Sequence, residues 1–545
     1  MSWSARHSLS ESCLSELRLL EPHLSKSDLS VPTGFGAGLP QALYSAGSVR
    51  NLDRYLIDEQ GVDGFELMQA AARSAFRQLR RRWPQCRHVL VLCGAGNNGG
   101  DGYLLATCAL RHGLGVTCLV LTDPAKLKGD ARKAWQRASD QKISMVTAAQ
   151  LADKDLISLL EQADVTVDAM LGTGLNGAPR GEFARVVEFC NQSAAGVLAL
   201  DVPSGLNATT GAAVGDVVAA DATVTFIGLK AGLFTGHGPA VCGEVIFEDL
   251  GAAQQLGGCT EPVLATRADW SSVTLGISKR AANAHKGHFG HVLVVAGDRG
   301  FGGAGLLVAE AAARSGAGLV SLATRQEHVA AALSRCPSIM SHGVVHGSEL
   351  APLLAAATVV VCGPGLGQSA WGQRMLEQVL ACNKPQVLDA DALNLMASGL
   401  MTNKASVAAD NCIFTPHPGE AARLLGCTVA EVELDRLSAA RKLQSRYGGA
   451  ILLKGAGTVI ASMHGEMFVV SGSNPGLATG GMGDVLAGIA GGLLAQLKDS
   501  TQAVVTAAAL HLAAANLATQ QFGYMGLQPT DVIDALPRVL ACSGH

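Results

Sequence analysis

The sequence predicts an α/β protein built from two open, doubly wound sheets, each made of parallel strands with helices on both faces. Short apolar strands alternate with helical patterns through most of the chain, as expected of parallel sheets. The length of 545 residues exceeds one ordinary domain and predicts two to four units. Hydrophobic residues make up 48% and charged residues 16%, which supplies enough apolar surface for large cores.

The composition argues against several partners and locations. A net charge of −4 gives no electrostatic attraction to nucleic acid or to a membrane, so neither is expected as a partner. The charged N-terminus lacks the apolar segment of a secretory signal, and no apolar run approaches the ~18 residues that span a bilayer. The 14 cysteines include no C-x-x-C pair, which favours reduced thiols and a cytoplasmic protein.

The chain divides into an N-terminal extension and two predicted domains. Residues 1–42 are rich in Ser and Leu and suggest no function. The first domain is expected over residues 43–255 and the second over residues 270–541, with a Gly- and Ala-rich linker at Gly251–Thr266. From Leu43 to Arg82, apolar residues recur at helical spacing, which predicts helix.

The first domain continues with a strand, a glycine-rich turn and a helix. The strand is expected at His88–Cys93, the turn at Gly94–Gly102 and the helix at Tyr103–Arg111. The turn contains the dinucleotide fingerprint G-x-G-x-x-G, which by itself is weak evidence for a cofactor site. Three polar side chains crowd the same turn, more than a phosphate loop needs: Asn97, Asn98 and Asp101.

Two further strands of the first domain end in polar clusters. The strand Val165–Met170 carries Asp168, and the strand Val197–Asp201 ends on an aspartate. Because sites form beyond the carboxyl ends of parallel strands, Asp101, Asp168 and Asp201 are expected in one crevice. The alternative is that each aspartate only caps the turn or helix that follows it.

Three stretches, which begin at Gly94, Asp168 and Asp201, resemble the NAD(P)H-hydrate epimerase domain, which has a Rossmann-like fold. The resemblance implies that Asp201 binds the hydrated dinucleotide and acts as the catalytic acid or base. It also implies a potassium ion (K+) coordinated by Asn98, Asp168 and Ser204. Two loops would hold the substrate, through Asn97, Asn98, Gly99, Gly100, Asp101, Gly172, Thr173, Gly174, Leu175, Asn176, Gly177 and Ala178.

The second domain repeats the pattern of strands that end in glycine-rich or polar turns. Lys454 follows one such strand and can offer a charge to a phosphate, although a lysine in a turn is usually only solvated. His417 follows another and lies between two prolines that fix its backbone, so a structural role is its alternative. The strands are expected at His291–Ala296, Val359–Cys362, Pro385–Leu388, Ile413–Phe414 and Ala450–Leu453.

The stretch Asn474–Gly488 is glycine-rich and leads into an apolar run, which predicts a loop at the N-terminus of a buried helix. Such a terminus presents unpaired N–H groups and the positive end of the helix dipole, which suit a phosphate. Asp484 lies at the start of this helix. It is either a catalytic base or an ordinary carboxylate favoured by the dipole, which would also keep it a weak base.

Gly481-Met482-Gly483-Asp484 resembles the Gly-x-Gly-Asp signature of the ribokinase-like superfamily, and the longer stretch resembles its NAD(P)H-hydrate dehydratases. The resemblance implies ADP as phosphoryl donor, a magnesium ion (Mg2+), and Asp484 as the base that takes the hydroxyl proton. One departure is the turn Gly297–Phe301, where related chains often carry a Ser and a Tyr. The implied nucleotide-binding residues are Lys454, Gly455, Ala456, Gly457, Thr458 and Gly483. The implied contacts to the hydrate are Ala304, Gly367, His417 and Asp484.

Together the two resemblances imply a bifunctional enzyme, an isomerase fused to a lyase. The first domain would interconvert the R and S hydrates of NADH and NADPH. The second would dehydrate the S form at the expense of ADP, giving AMP and phosphate. The residues alone leave alternatives open: a sugar or vitamin kinase in the second domain, and a dehydrogenase or a non-catalytic dinucleotide-binding module in the first. We also expect a homo-oligomer.

Overall fold

The computed structural model of the chain describes residues 38–174, 177–277, 279–399 and 412–542. Two predicted substrate-binding residues, Leu175 and Asn176, lie outside the described residues, as does most of the predicted extension. The strands are, in chain order, β1 (Ala42–Tyr44), β2 (His88–Cys93), β3 (Gly115–Val120), β4 (Ser144–Thr147), β5 (Val165–Ala169), β6 (Gly196–Leu200), β7 (Ala222–Phe226), β8 (Leu229–Lys230), β9 (Glu244–Glu248), β10 (Ala265–Ala268), β11 (His291–Val295), β12 (Leu319–Thr324), β13 (Met340–Gly343), β14 (Val359–Cys362), β15 (Gln386–Leu388), β16 (Cys412–Phe414), β17 (Ala450–Leu453), β18 (Thr458–Ala461) and β19 (Met467–Val470).

The α-helices lie between and after these strands. They are, in chain order, α1 (Ala46–Arg54), α2 (Gly64–Arg82), α3 (Asn97–Arg111), α4 (Gly129–Asp140), α5 (Asp153–Glu161), α6 (Glu182–Gln192), α7 (Gly238–Val241), α8 (Ala253–Leu256), α9 (Trp270–Val273), α10 (Gly302–Arg314), α11 (Gln326–Arg335), α12 (Ala351–Ala356), α13 (Ala370–Ala381), α14 (Asp391–Ala397), α15 (Pro418–Leu425), α16 (Val429–Leu434), α17 (Arg436–Tyr447), α18 (Met482–Leu497), α19 (Ser500–Gly526) and α20 (Pro529–Cys542).

The first domain holds a seven-stranded sheet in the order β4-β3-β2-β5-β6-β7-β9. Every neighbouring pair in it is parallel. The chain builds outward from β2 in one direction and then from β5 in the other, so the order reverses between these two strands. A Rossmann-like sheet has this reversal, and ligands bind beyond the carboxyl ends of the strands that flank it.

The second domain contributes most of a twelve-stranded sheet. Seven strands run parallel in the order β13-β12-β11-β14-β15-β16-β17, and β18 and β19 follow as an antiparallel hairpin. The buried helix α18 packs against β14 and β15. The predicted α/β class with two doubly wound sheets is therefore confirmed.

The two halves of the chain share the larger sheet. β10 pairs parallel to β19, and on its other side β1 and then β8 of the first half extend the same sheet. One hydrophobic core accordingly contains Leu43 and Phe234 together with Leu453 and Val459. The predicted boundaries of the two domains, 43–255 and 270–541, stay a prediction about folding units.

Helix α3 begins earlier than predicted. The expected turn ended at Gly102, whereas the structure starts the helix at Asn97. The glycines allow close packing inside this helix, because a side chain on Gly99 would collide with the carbonyl oxygen of Gly94. The glycine-rich composition predicted a turn at these residues. The glycines instead belong to the helix, where their small size is needed for packing.

The expectation that no segment is long and apolar enough to span a bilayer is wrong for α19, which passes both criteria. Of its most apolar 18-residue window, 72% is buried inside the protein, which is the behaviour of a core helix. Buried cysteines such as Cys86, Cys93, Cys118 and Cys362 are thiols in the structure, in agreement with the prediction of reduced cysteines.

Candidate active sites

The first site is a cavity of about 530 Å³ at the carboxyl ends of the strands around the β2/β5 reversal. We call it the first cavity; its wall includes Asn97, Asn98, Asp101 and Asp201, all predicted from sequence. Gly172, Thr173 and Gly174 line it as well. Four other described residues that were predicted to bind the substrate do not line it: Gly99, Gly100, Gly177 and Ala178.

Asp201 lies in this wall in a strained backbone conformation. Its φ of 66° is in the left-handed region, which a non-glycine residue rarely adopts and which clusters at functional sites. The side chain is 17% exposed and forms an ion pair with Lys230, whose side chain is 1% exposed. Lys230 also donates to Thr225 Oγ1 at 3.0 Å and to the carbonyl oxygen of Phe226 at 2.9 Å. The lysine is thus held by three fixed acceptors, and it orients the carboxylate.

Three more carboxylates line the first cavity: Asp53, Asp101 and Asp130. Burial raises the pKa of Asp53 to about 6, with a further increase from Asp201. Burial and the charges of Asp201 and Asp53 raise the pKa of Asp101 well above its usual range. Paired carboxyl groups of unequal environment are typical of sites that move protons. The first cavity is therefore a candidate site of proton transfer, with Asp53 and Asp101 beside Asp201 in its wall.

Sequence reasoning missed Arg50, Asp53 and Lys230. Lys230 stands alone in the apolar run from Val224 to Phe234, and an isolated lysine in such a run was a usable signal. Asp53 and Arg50 come from α1, which precedes the sheet. The rule that sites form beyond the carboxyl ends of strands therefore did not predict them. Arg50 Nη1 donates to the carbonyl oxygen of Thr173 at 2.8 Å, which ties this helix to the predicted loop.

Of the predicted potassium ligands, Asn98 lines the first cavity, whereas Asp168 and Ser204 do not. Asp168 is fully buried; Ser204 donates to it through Oγ at 2.6 Å and through its backbone N–H at 2.7 Å. Asn98 Nδ2 donates to the carbonyl oxygen of Leu171 at 3.2 Å, but the buried Asn98 Oδ1 has no partner within the described part of the chain. An orphaned amide oxygen near a carboxylate and a hydroxyl suits an alkali cation. The residues present therefore fit K+.

The second site lies where five neighbouring parallel strands end. β11, β14, β15, β16 and β17 are adjacent in this order, so the turns that follow them meet at one edge. Lys454 directly follows β17, and its Nζ contacts Asp389 Oδ1 at 2.7 Å and Glu420 Oε2 at 3.8 Å. Burial opposes the charge on Lys454, but the two carboxylates outweigh it and raise the pKa of Lys454 above its ordinary value. Asp389 and Glu420 follow the strands expected at Pro385–Leu388 and Ile413–Phe414, but they were not predicted as site residues.

Asp484 occupies the first turn of α18, whose N-cap Gly481 has a φ of 93°. Gly483 lies against Lys454, since a Cβ there would be 3.4 Å from Nζ. Burial is the largest cause that raises the pKa of Asp484, and the charge of Asp389 is the next. Together they raise this pKa to about 7, and the charge of Lys454 only partly opposes them. The expectation that the helix dipole keeps Asp484 a weak base is wrong, because burial and the neighbouring carboxylate outweigh the dipole.

Gly367 and Ala304 come together at the ends of β14 and β11. The N–H of Gly367 donates to Asp391 Oδ2 at 2.9 Å, and Ala304 lies against the neighbouring Gly365. Asp298, in the turn that departs from related chains, accepts from Ser369 Oγ at 2.7 Å and Arg325 Nε at 2.7 Å. Burial raises the pKa of Asp298, but these two donors outweigh it and the pKa is lowered below its usual range.

His417 caps the N-terminus of α15. Its Nδ1 accepts from the N–H of Gly419 at 3.0 Å, and its ring is half-exposed toward the same edge of the sheet. Burial and the charges of Lys454 and Arg423 lower the pKa of His417. The imidazole is thus presented as a neutral group near Lys454, and its predicted contact with a substrate stays a prediction.

Lys454–Thr458 form a tight turn between β17 and β18, which we call the nucleotide loop. Gly457 has a φ of 62°, and Thr458 Oγ1 donates to the carbonyl oxygen of Gly455 at 3.1 Å. Arg436, at the start of α17, lies beneath the loop and donates to the carbonyl oxygens of Leu453 and Lys454 at 3.2 and 3.0 Å. Sequence reasoning missed Arg436, because a lone arginine in a helix carries no signal of burial.

Both halves match known families. Residues 292–538 match the family NAD(P)H-hydrate dehydratase, and residues 64–232 match the family YjeF-related protein N-terminus.

Full-length relatives are similar over nearly the whole chain. The bifunctional NAD(P)H-hydrate repair enzyme Nnr of Coxiella burnetii is 43% identical over 500 residues, which are 91% of this chain and 99% of that protein. The enzyme of the same name from Escherichia coli is 41% identical over 505 residues, 92% of this chain and 94% of that protein. Among solved structures, an ADP/ATP-dependent NAD(P)H-hydrate dehydratase from Bacillus subtilis, crystallised with ATP and Mg2+, is 30% identical. It covers 50% of this chain and 95% of its own, with a TM-score of 0.43.

Proposed function

The chain belongs to the family of bifunctional NAD(P)H-hydrate repair enzymes, and we propose how its two sites divide the repair between them. The enzyme acts on hydrated NADH and NADPH, with an epimerase in the first half and a nucleotide-dependent dehydratase in the second. The first cavity interconverts the R and S hydrates. The second site removes water from the S hydrate with ADP as donor.

In the first cavity, Asp201 is the acid or base that moves the proton during inversion at the carbon bearing the new hydroxyl. Lys230 fixes the orientation of its carboxylate, and Asp101, whose pKa is raised by burial and by Asp201 and Asp53, lines the same cavity. Asn97, Asn98 and the loop at 172–178 hold the dinucleotide. Asn98, Asp168 and Ser204 would hold K+, which would supply a fixed positive charge to the site when bound.

In the second site, the substrate hydroxyl attacks the terminal phosphoryl group of ADP, and Asp484 takes the hydroxyl proton. Lys454, the N–H groups of the nucleotide loop and Gly483 hold the transferring phosphoryl group. Loss of phosphate from the carbon that carried the hydroxyl and of a proton from the neighbouring ring carbon then forms the ring double bond; hydroxide would leave far less readily than phosphate. Ala304, Gly367 and His417 contact the hydrated ring.

Magnesium would enter this site with the nucleotide. The described residues contain no cluster of three or more His, Cys, Asp or Glu side chains arranged for a metal. Mg2+ commonly binds through substrate phosphates and water with few protein ligands, and such a site fits that mode. When bound, the ion supplies positive charge to the phosphoryl oxygens.

The observation that carries the proposal is the position of Asp484 in the first turn of α18, next to Gly483, which lies against Lys454 and its ion-pair partner Asp389. The test follows the return of reduced-nicotinamide absorbance from a mixed sample of R and S NADH hydrates, with ADP or ATP. We expect complete recovery with the whole chain, and recovery of only the S portion when epimerisation is blocked. A stable phosphoester product would instead identify a kinase.

Two further features complete the proposal. We expect a cytoplasmic enzyme, because buried thiols such as Cys93, Cys118 and Cys362 are typical of a reducing compartment. We also expect a homo-oligomer, supported by the exposed apolar side chains Phe522, Tyr524 and Met525 at the end of α19. Sedimentation of the purified chain at several concentrations tests the oligomer, and a monomer throughout would reject it.

A further inference from the structure

A short segment of the first half reaches the nucleotide loop of the second. β8 ends at Lys230, whose ammonium group faces the first cavity. The chain then makes the 3-10 turn Ala231–Leu233 and arrives at Phe234 and Thr235, both fully buried. Thr235 itself is not among the described residues that line the first cavity.

Thr235 contacts the nucleotide loop directly. Its Oγ1 donates to the carbonyl oxygen of Gly457 at 2.9 Å, and Thr235 Oγ1 in turn accepts from Arg436 Nε at 3.3 Å. Gly457 fits against this segment only because it lacks a side chain, since a Cβ there would collide with the carbonyl oxygen of Phe234. The two backbones are therefore packed as closely as two strands within one domain.

Arg436 connects this contact to Lys454. Its guanidinium is 1% exposed, and besides Thr235 it binds Glu433 Oε1 at 2.7 Å and the carbonyl oxygens of Leu453 and Lys454. These bonds fix the backbone from which the Lys454 side chain departs. The loop is thus supported from below by one arginine of the second half and one hydroxyl of the first.

We infer that Thr235 is a positioning residue of the nucleotide site, supplied by the epimerase half of the chain. The inference rests on the proposed assignment of Lys454–Thr458 to nucleotide binding. The Thr235 hydroxyl sets the position of Gly457 and the direction of the Arg436 guanidinium, and through them the geometry in which the loop N–H groups and Lys454 meet the nucleotide phosphates. The epimerase half therefore contributes to nucleotide affinity without touching the nucleotide.

Thr235→Val tests the inference, because it keeps the shape of the side chain and removes its hydroxyl. A buried carbonyl and a buried N–H then lose their partner, so the Kd of ADP measured by calorimetry, and its KM, should rise roughly 5- to 100-fold. The maximal rate at saturating ADP should change much less, and epimerisation of R hydrate should be unchanged. Thr235→Ser retains the hydroxyl and should restore ADP affinity to near the wild-type value.

Thr223→Val is the matched control. The Thr223 hydroxyl is also buried in the first half and donates to a backbone carbonyl, that of Cys242, at 2.7 Å. Its loss should lower thermal stability while leaving ADP affinity unchanged. An unchanged Kd in Thr235→Val, or an equal rise in Thr223→Val, would overturn the inference. If the wild type binds ADP tightly without turnover, the proposed function is rejected. The ADP Kd values of the wild type, Thr235→Val and Thr223→Val would then still decide the role of Thr235.

Discussion

Asp484→Asn tests the carboxylate at the start of α18. The substitution preserves the size of the side chain and removes its ability to accept a proton. A positioned general base contributes ~10²–10⁴-fold to rate, so turnover of pure S hydrate should fall by about that factor. ADP binding should stay the same or tighten slightly, because one negative charge beside Lys454 is gone.

The dependence of rate on pH gives a second magnitude. The pKa of Asp484 is about 7, and its ionised form is the one that acts as base. At that pKa roughly a tenth of the carboxylate is ionised at pH 6 and about nine tenths at pH 8. Because the active form is gained as pH rises, kcat/KM for dehydration should increase about ten-fold over this interval. Asp484→Asn should abolish the increase.

Asp389→Asn extends the same test. Asp389 is the charge that most raises the pKa of Asp484, so its neutralisation should move the midpoint of the pH profile to lower pH. The assay measures initial rates with purified S hydrate and saturating ADP across a pH series, with ADP binding measured separately by calorimetry. An Asn variant that keeps the wild-type profile, or loses only ADP affinity, would make Asp484 an ordinary helix-start charge.

The remaining predictions separate the two activities. Asp201→Asn should lower epimerisation by ~10²–10⁴-fold, the range for a lost acid or base, and leave dehydration of pure S hydrate unchanged; equal loss of both would indicate misfolding. Asn98→Ala should remove any activation of the epimerase by K+ relative to Na+, because the substitution deletes the unpartnered Oδ1 that is the proposed ligand of the ion. Retained activation would place the ion elsewhere. Residues 270–545 expressed alone should dehydrate only the S hydrate, and with weaker ADP affinity, since the fragment lacks Thr235; rapid consumption of both epimers would contradict the division of roles.

The sequence predicted what depends on strand ends. β2, β14 and β17 begin and end where their apolar runs do, and Asp201, His417 and Lys454 follow strands that the pattern locates well. Such residues are fixed by local chain geometry, and local geometry can be read from periodicity. The same rule expected Asp168 in one crevice with Asp101 and Asp201, but Asp168 does not line the first cavity and is buried against Ser204.

Other site residues reach their positions through tertiary packing, which no local pattern encodes. Asp53 enters the first cavity from α1, and Arg436 reaches the nucleotide loop from the interior of the second half. The pKa of Asp484 depends on burial and on Asp389, which is distant in sequence, so an argument from the helix dipole alone gave the wrong sign. The pairing of β10 with β19 likewise joins segments separated by about 200 residues, and composition gave no indication of it.

The shared sheet has a consequence for synthesis of the chain. β8, β1 and β10 are complete once residue 268 has been translated, but their partner β19 ends at residue 470. At ~5–20 residues per second, the edge of β10 waits about 10–40 s for its neighbour. An unpaired edge is a template for pairing with other chains, so the nascent protein passes through a stage open to aggregation that the finished enzyme lacks. We expect chains arrested before residue 458 to bind chaperones more than chains released after residue 470, and equal binding would show that the edge is protected in another way.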